Sequence, residues 1–321
     1  MARAPDAVTA ARLSGPSAEP SAEDAGSREQ HRARYPDATG HVERDGVRVF
    51  YEVYGSGEPT VLLLPTWSII HSRLWKLQIP DLARRSRVLT FDPRGNGRSD
   101  RPVDADAYAE TEYAADALAI MDATETDRAV LVSLSMGAQR ALVLASEYPE
   151  RVAGAVFIGP ALPLRRTIPG REASKDFAAR LDSDAGWAKY NSHYWRRDYR
   201  GFLEFFFGEC FSEAHSTKPT DDAVAWGLET DAESLILTQL APGLRDRDDV
   251  LARCARVRCP VLVIHGAEDR IRSVADGEEV ARATGGKFVR LEGAGHIPNV
   301  RDPVQVNLAI RDFLASIGGR A

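Results

Sequence analysis

The stretch Val130-Leu131-Val132-Ser133-Leu134-Ser135-Met136-Gly137-Ala138 carries a β-rich run that stops at a serine and passes at once into a helical pattern. The strand expected over Ala129 to Ser133 is apolar without alternation, as suits a strand covered on both faces of a sheet. The helix expected over 136–147 is apolar nearly all round through Ala141-Leu142-Val143-Leu144-Ala145, which places it near the centre of the molecule. A strand, a sharp turn holding Ser135 and a helix present the serine hydroxyl at the end of a sheet. The small residues Ser133 and Gly137 let the strand and helix approach closely.

Outward from this stretch, short β-rich runs alternate with helical ones, the pattern of crossovers joining a mainly parallel sheet. The expected strands are Val42 to Arg44, Val47 to Tyr54, Val61 to Leu64, Val88 to Phe91, Ala129 to Ser133, Ala153 to Ile158, Val261 to Ile264 and Phe288 to Leu291. The first two read as a hairpin turned at Asp45-Gly46. Helices are expected at about 106–122, 136–147, 272–283 and 303–316. The alternation stops between 161 and 245, where aromatic-rich helical stretches stand without strands and read as an inserted helical cap. Residues 1–40, rich in Ala, Ser, Pro, Glu and Arg without apolar periodicity, read as a flexible tail. The expected organisation is thus a tail at 1–40, a sheet domain at 41–160 and 246–321, and a cap at 161–245.

Composition narrows the function classes. The 321 residues are 44% hydrophobic and 27% charged with a formal net charge of -6, which makes nucleic acid an unexpected partner. No apolar run reaches membrane-spanning length, and the first residues lack the apolar core of a secretory signal, so a cytoplasmic location without membrane partners is expected. Cys210, Cys254 and Cys259 read as reduced thiols, since neither a disulfide framework nor a zinc ligand set emerges from them.

A serine hydroxyl needs a base, and the base needs an orienting group. After the strand at Val261 comes His265-Gly266-Ala267-Glu268-Asp269, and after the last strand comes Glu292-Gly293-Ala294-Gly295-His296. The order Ser135, Asp269, His296, each beyond a predicted strand, is similar to that of the α/β-hydrolase fold. The 130–138 stretch resembles its nucleophile elbow, with Ser133 in place of the usual first glycine. Asp92-Pro93-Arg94-Gly95-Asn96-Gly97-Arg98-Ser99 resembles the turn after that fold's fourth strand. The resemblance spans about 41–318 and implies an α/β architecture with helices on both sheet faces, an inserted cap, and a Ser135, Asp269, His296 triad. No metal or organic cofactor is called for.

The resemblance also implies an oxyanion hole from the N–H groups of Met136 and of Trp67, in the turn Pro65-Thr66-Trp67-Ser68, where relatives usually have His-Gly. The pocket is expected to include Thr66, Trp187, Tyr194, Trp195 and Ile297 and, given the cap's aromatic content, to take a hydrophobic small molecule. His265 is expected to be a packed imidazole and Glu268 the alternative acid. His71 and Trp75 suit core or pocket wall equally, and Arg196-Arg197 suit a solvated surface better than a substrate carboxylate. The implied activity is hydrolysis of a carboxylic ester or related acyl compound. A carbon-carbon bond hydrolase, a perhydrolase, a biosynthetic cyclase or lyase, and a ligand receptor remain open. Ser135 stands where dehalogenases and epoxide hydrolases have aspartate, and Ile297 where carbon-carbon hydrolases often have Trp. The oligomeric state is not legible.

Overall fold

A computed structural model describes residues 32–164, 171 and 177–318. The strands are β1 (Ala38–Arg44), β2 (Val47–Tyr54), β3 (Val61–Leu63), β4 (Val88–Phe91), β5 (Ala129–Leu134), β6 (Val152–Ile158), β7 (Val261–Gly266) and β8 (Lys287–Leu291). They form one sheet ordered β1-β2-β4-β3-β5-β6-β7-β8. The pairs β1 with β2 and β2 with β4 are antiparallel, and the rest are parallel. The hairpin turn puts Asp45 at φ 51° and Gly46 at φ 74°, the two positive values that a tight two-residue connection requires.

The helices are α1 (Ile79–Leu82), α2 (Glu110–Ala123), α3 (Gly137–Glu147), α4 (Ser192–Arg197), α5 (Tyr199–Cys210), α6 (Thr217–Gly227), α7 (Ala232–Leu240), α8 (Arg247–Cys254), α9 (Val274–Thr284), α10 (Pro298–Arg301) and α11 (Pro303–Gly318). Leu62, Leu64 and Leu131 pack on one sheet face with residues of α2, α3 and α9. Val61, Leu63, Val130 and Val132 belong to a cluster on the other face that includes α11 and continues into the aromatic side chains of α4 and α5. Every residue of β5 is buried, as its unbroken apolar run requires. Between β6 and β7 the described residues hold helices and no strand.

Two expectations need correction. The helix expected at 106 begins at Glu110, because Ala109 takes an extended ψ of 147° after a 3-10 turn over Ala105–Tyr108. The expected tail boundary at residue 40 is also too late. Ala38 already pairs with Val53, and the Asp37 N–H donates to Val53 O at 2.9 Å. Arg32 reaches the buried Glu52 at 2.6 Å and donates to the Tyr54 hydroxyl at 3.2 Å. A polar segment can be held this way because backbone ladders and a buried ion pair need no apolar periodicity. The remainder of the expected tail, 1–31, lies outside the described residues, as do 165–170 and 172–176 of the expected cap.

Candidate active site

Ser135, Asp269 and His296 stand beyond the C-terminal ends of β5, β7 and β8, the edge at which parallel sheets gather functional side chains. Ser135 sits at φ 52°, a left-handed value that costs a non-glycine residue energy and is held here by its surroundings. Its N–H donates to Ile158 O at 2.9 Å, and its own carbonyl accepts from Ala138 and Ala161, each at 3.0 Å. Gly137 is required beside it, since a Cβ there would come within 2.7 Å of Pro65 O. The Ser133 hydroxyl turns into the sheet and donates to Val156 O at 3.0 Å, so this side chain is accommodated beside the turn.

The three side chains form a continuous hydrogen-bonded chain. His296 Nε2 lies 2.9 Å from Ser135 Oγ, and His296 Nδ1 lies 2.7 Å from Asp269 Oδ2. That same carboxylate oxygen meets His265 Nε2 at 3.0 Å. Oδ1 accepts the N–H groups of Ile271 at 2.7 Å and Arg272 at 2.8 Å. Burial alone would raise the Asp269 carboxyl. The charge of His296 and hydrogen bonds from both imidazoles outweigh burial and hold it well below the usual carboxylate range. Glu268, the alternative acid, is exposed. His265 is fully buried, yet it touches the central carboxylate instead of serving only as packing.

The Pro65-Thr66-Trp67 turn is pinned from α3. The buried Arg140 donates to the carbonyls of Pro65, at 2.9 Å, and Thr66, pairs with Glu110 at 3.0 Å and lies 3.6 Å over the Tyr113 ring. With those carbonyls committed, the Trp67 and Met136 N–H groups donate to no backbone carbonyl among the described residues. The Trp67 indole donates to the Thr238 hydroxyl of α7 at 2.7 Å, which ties this turn to the helical insertion.

A pocket of about 540 Å³, mouth included, opens over Ser135 and His296. Thr66, Trp67, Met136 and Ile297 line it. Trp187, Tyr194 and Trp195 do not, and their expected place in the pocket is corrected. Trp195 is fully buried, 4.4 Å from the Phe202 ring and 4.8 Å from Phe177. Trp187 packs against Phe205, and Tyr194 bonds to Asp198. Large rings on a short amphipathic helix fill its own core before they reach a cavity. His71 and Trp75 are likewise buried away from the pocket, His71 against Trp226 and Glu229, Trp75 with its indole N–H on Leu64 O. Arg196 pairs with Glu233 and Arg197 with Asp184 at the surface. Tyr190 and Phe206, two of the insertion's aromatics of which a minority is expected to face the site, line the pocket, as do Arg171 and Arg272, which the sequence did not single out. Only Arg272 had a local signal, its place in the turn whose N–H groups cap Asp269. Among the described residues no group of three or more His, Cys, Asp or Glu side chains is arranged to hold a metal ion. No helix among them is long and apolar enough to cross a membrane.

Comparison with known proteins agrees with this geometry. The profile of the α/β-hydrolase fold matches residues 59–303, and the chain belongs to that family. A 2-hydroxymuconate semialdehyde hydrolase from a Pseudomonas species is 28% identical over 306 residues, covering 89% of this chain and 97% of its relative. A 3-oxoadipate enol-lactonase from Acinetobacter baylyi is 24% identical, covering 82% and 92%. A solved esterase described as an N-acyl homoserine lactone degrading enzyme superposes with a TM-score of 0.67 at 26% identity, covering 85% of this chain and all of that one. The protein is an α/β-hydrolase.

Proposed function

We propose that the protein is a serine hydrolase that cleaves a carboxylic ester or a related acyl compound, a thioester or lactone included, through an acyl-enzyme. The observation that carries this reading is the unbroken chain from Ser135 Oγ to His296 Nε2 at 2.9 Å and from His296 Nδ1 to Asp269 at 2.7 Å. Ser135 attacks the carbonyl as His296 takes its proton. Asp269 keeps the imidazole in the tautomer that can accept that proton and stabilises the imidazolium. The Met136 and Trp67 N–H groups bind the oxyanion. His296 then returns the proton to the leaving group and activates the water that releases the acid.

The described helices between β6 and β7 roof the site as its cap, and the substrate is a small molecule whose acyl chain contacts Ile69, Ile70, Phe206 and Ile297. The relatives named as hydrolase and lactonase support an acyl or related carbonyl substrate. A fluorophosphonate probe tests the mechanism. Labelling of the parent at Ser135, absent in Ser135→Ala, is expected together with turnover of short p-nitrophenyl esters. An unlabelled parent that leaves every ester intact overturns the reading.

A further inference from the structure

Apart from Thr66 and the reacting pair Ser135 and His296, the pocket lining is mostly apolar, and two arginines, Arg171 and Arg272, line it together with Tyr190, Cys210 and Ile271. Arg171 lies 3.9 Å over the Trp187 ring and donates to Ile271 O at 2.6 Å. Arg272 is different. Its backbone N–H is spent on Asp269, but its guanidinium makes no hydrogen bond or ion pair with any described residue, and its Nε is buried. A buried donor left without an acceptor is costly, and more so when charged. Such a group is retained where something absent from the free chain satisfies it.

The neighbouring charges make the deficit larger. Burial, and then the positive charge of Arg272, push the Arg171 guanidinium down. The nearby carboxylate, Asp269, is already shared by two imidazoles and two backbone N–H groups, so it does not pair with the Arg272 guanidinium. An anion would relieve the partly buried Arg272, and its planar fork matches a carboxylate in particular.

We propose that the substrate carries a second, free carboxylate, bound by Arg272 with Arg171 beside it, while the apolar wall holds the chain between that carboxylate and the scissile carbonyl. This builds on the acyl-hydrolase reading, and it replaces the uncharged substrate expected from the cap's aromatic content. The surface residues Arg196 and Arg197, already paired with carboxylates, take no part.

Calorimetry on the Ser135→Ala variant tests the proposal without relying on turnover. The probes are the monomethyl esters of the dicarboxylic acids from succinate to suberate, each compared with its dimethyl ester, which has the same chain without the charge. At least one monoester is expected to bind about tenfold tighter than its diester, as one charge-assisted contact would give. The preference is expected to vanish in Ser135→Ala/Arg272→Gln and to survive in part in Ser135→Ala/Arg272→Lys, which also controls for folding. If no monoester in the series outbinds its diester, or if the preference persists in Arg272→Gln, the proposal is overturned. Absence of probe labelling at Ser135 would instead overturn the acyl mechanism alone.

Discussion

The strand-end turns and the helical insertion meet at one pocket but hold their side chains by different physics. On the sheet side, backbone hydrogen bonds set Ser135 and Asp269. Ser135 is locked by Ile158, Ala138 and Ala161, and Asp269 by the N–H groups two and three residues on. On the insertion side, rings pack on rings. Trp195, Phe202, Phe206 and Tyr190 surround Trp67 at centroid distances of 5.5 to 6.3 Å. Hydrogen bonds tolerate little displacement, whereas ring packing can rearrange at modest cost. The first region therefore suits chemistry that needs fixed distances, and the second suits a surface that determines what is bound.

The sharpest test of this contrast is the hydroxyl itself. Ser135→Ala or His296→Ala is expected to lower kcat by about a millionfold because these residues act as a unit, and Ser135→Ala, which removes one hydroxyl from a half-buried turn, should change the melting temperature little. Asp269→Asn comes next, with a loss on the order of 10⁴ through the wrong imidazole tautomer. Glu268→Gln is expected to leave kcat unchanged. If the two acid substitutions ranked the other way, the orienting role would pass to Glu268.

On the insertion side the expected signature reverses. Trp195→Ala removes a fully buried ring and should cost about 3–5 kcal/mol of stability in denaturant unfolding, while kcat at saturating substrate falls far less than in Asp269→Asn. A loss of kcat as large as that of Asp269→Asn would show that the rings fix the chemistry as well as the binding. The smallest effect belongs to the surface. Arg196→Gln and Arg197→Gln break exposed pairs and should change neither KM nor melting temperature measurably. A raised KM in either variant would move substrate contact outward onto α4.

What was legible in the sequence follows the same division. The β5 run, the Asp45-Gly46 turn and the strand-end positions of Ser135, Asp269 and His296 were readable because propensity, turn chemistry and chain order are local. That Ser133 stands in place of the elbow's usual first glycine was legible too, but only the structure placed its hydroxyl on Val156 O. The start of β1 at Ala38 was missed because its partner, Val53, supplies hydrogen bonds without an apolar pattern.

The sequence by itself therefore determined the α/β order and singled out Ser135, Asp269 and His296 as the candidate site, since each is announced by its own few neighbours. Only the tertiary structure decided that Arg140 pins the Thr66 turn, that His265 shares the carboxylate of Asp269, and that Arg272 faces the pocket while Trp187, Tyr194 and Trp195 do not. These are meetings between segments far apart in the chain or choices of which way a side chain turns. Packing and charge compensation settle them over the whole fold, and no local run of residues encodes them.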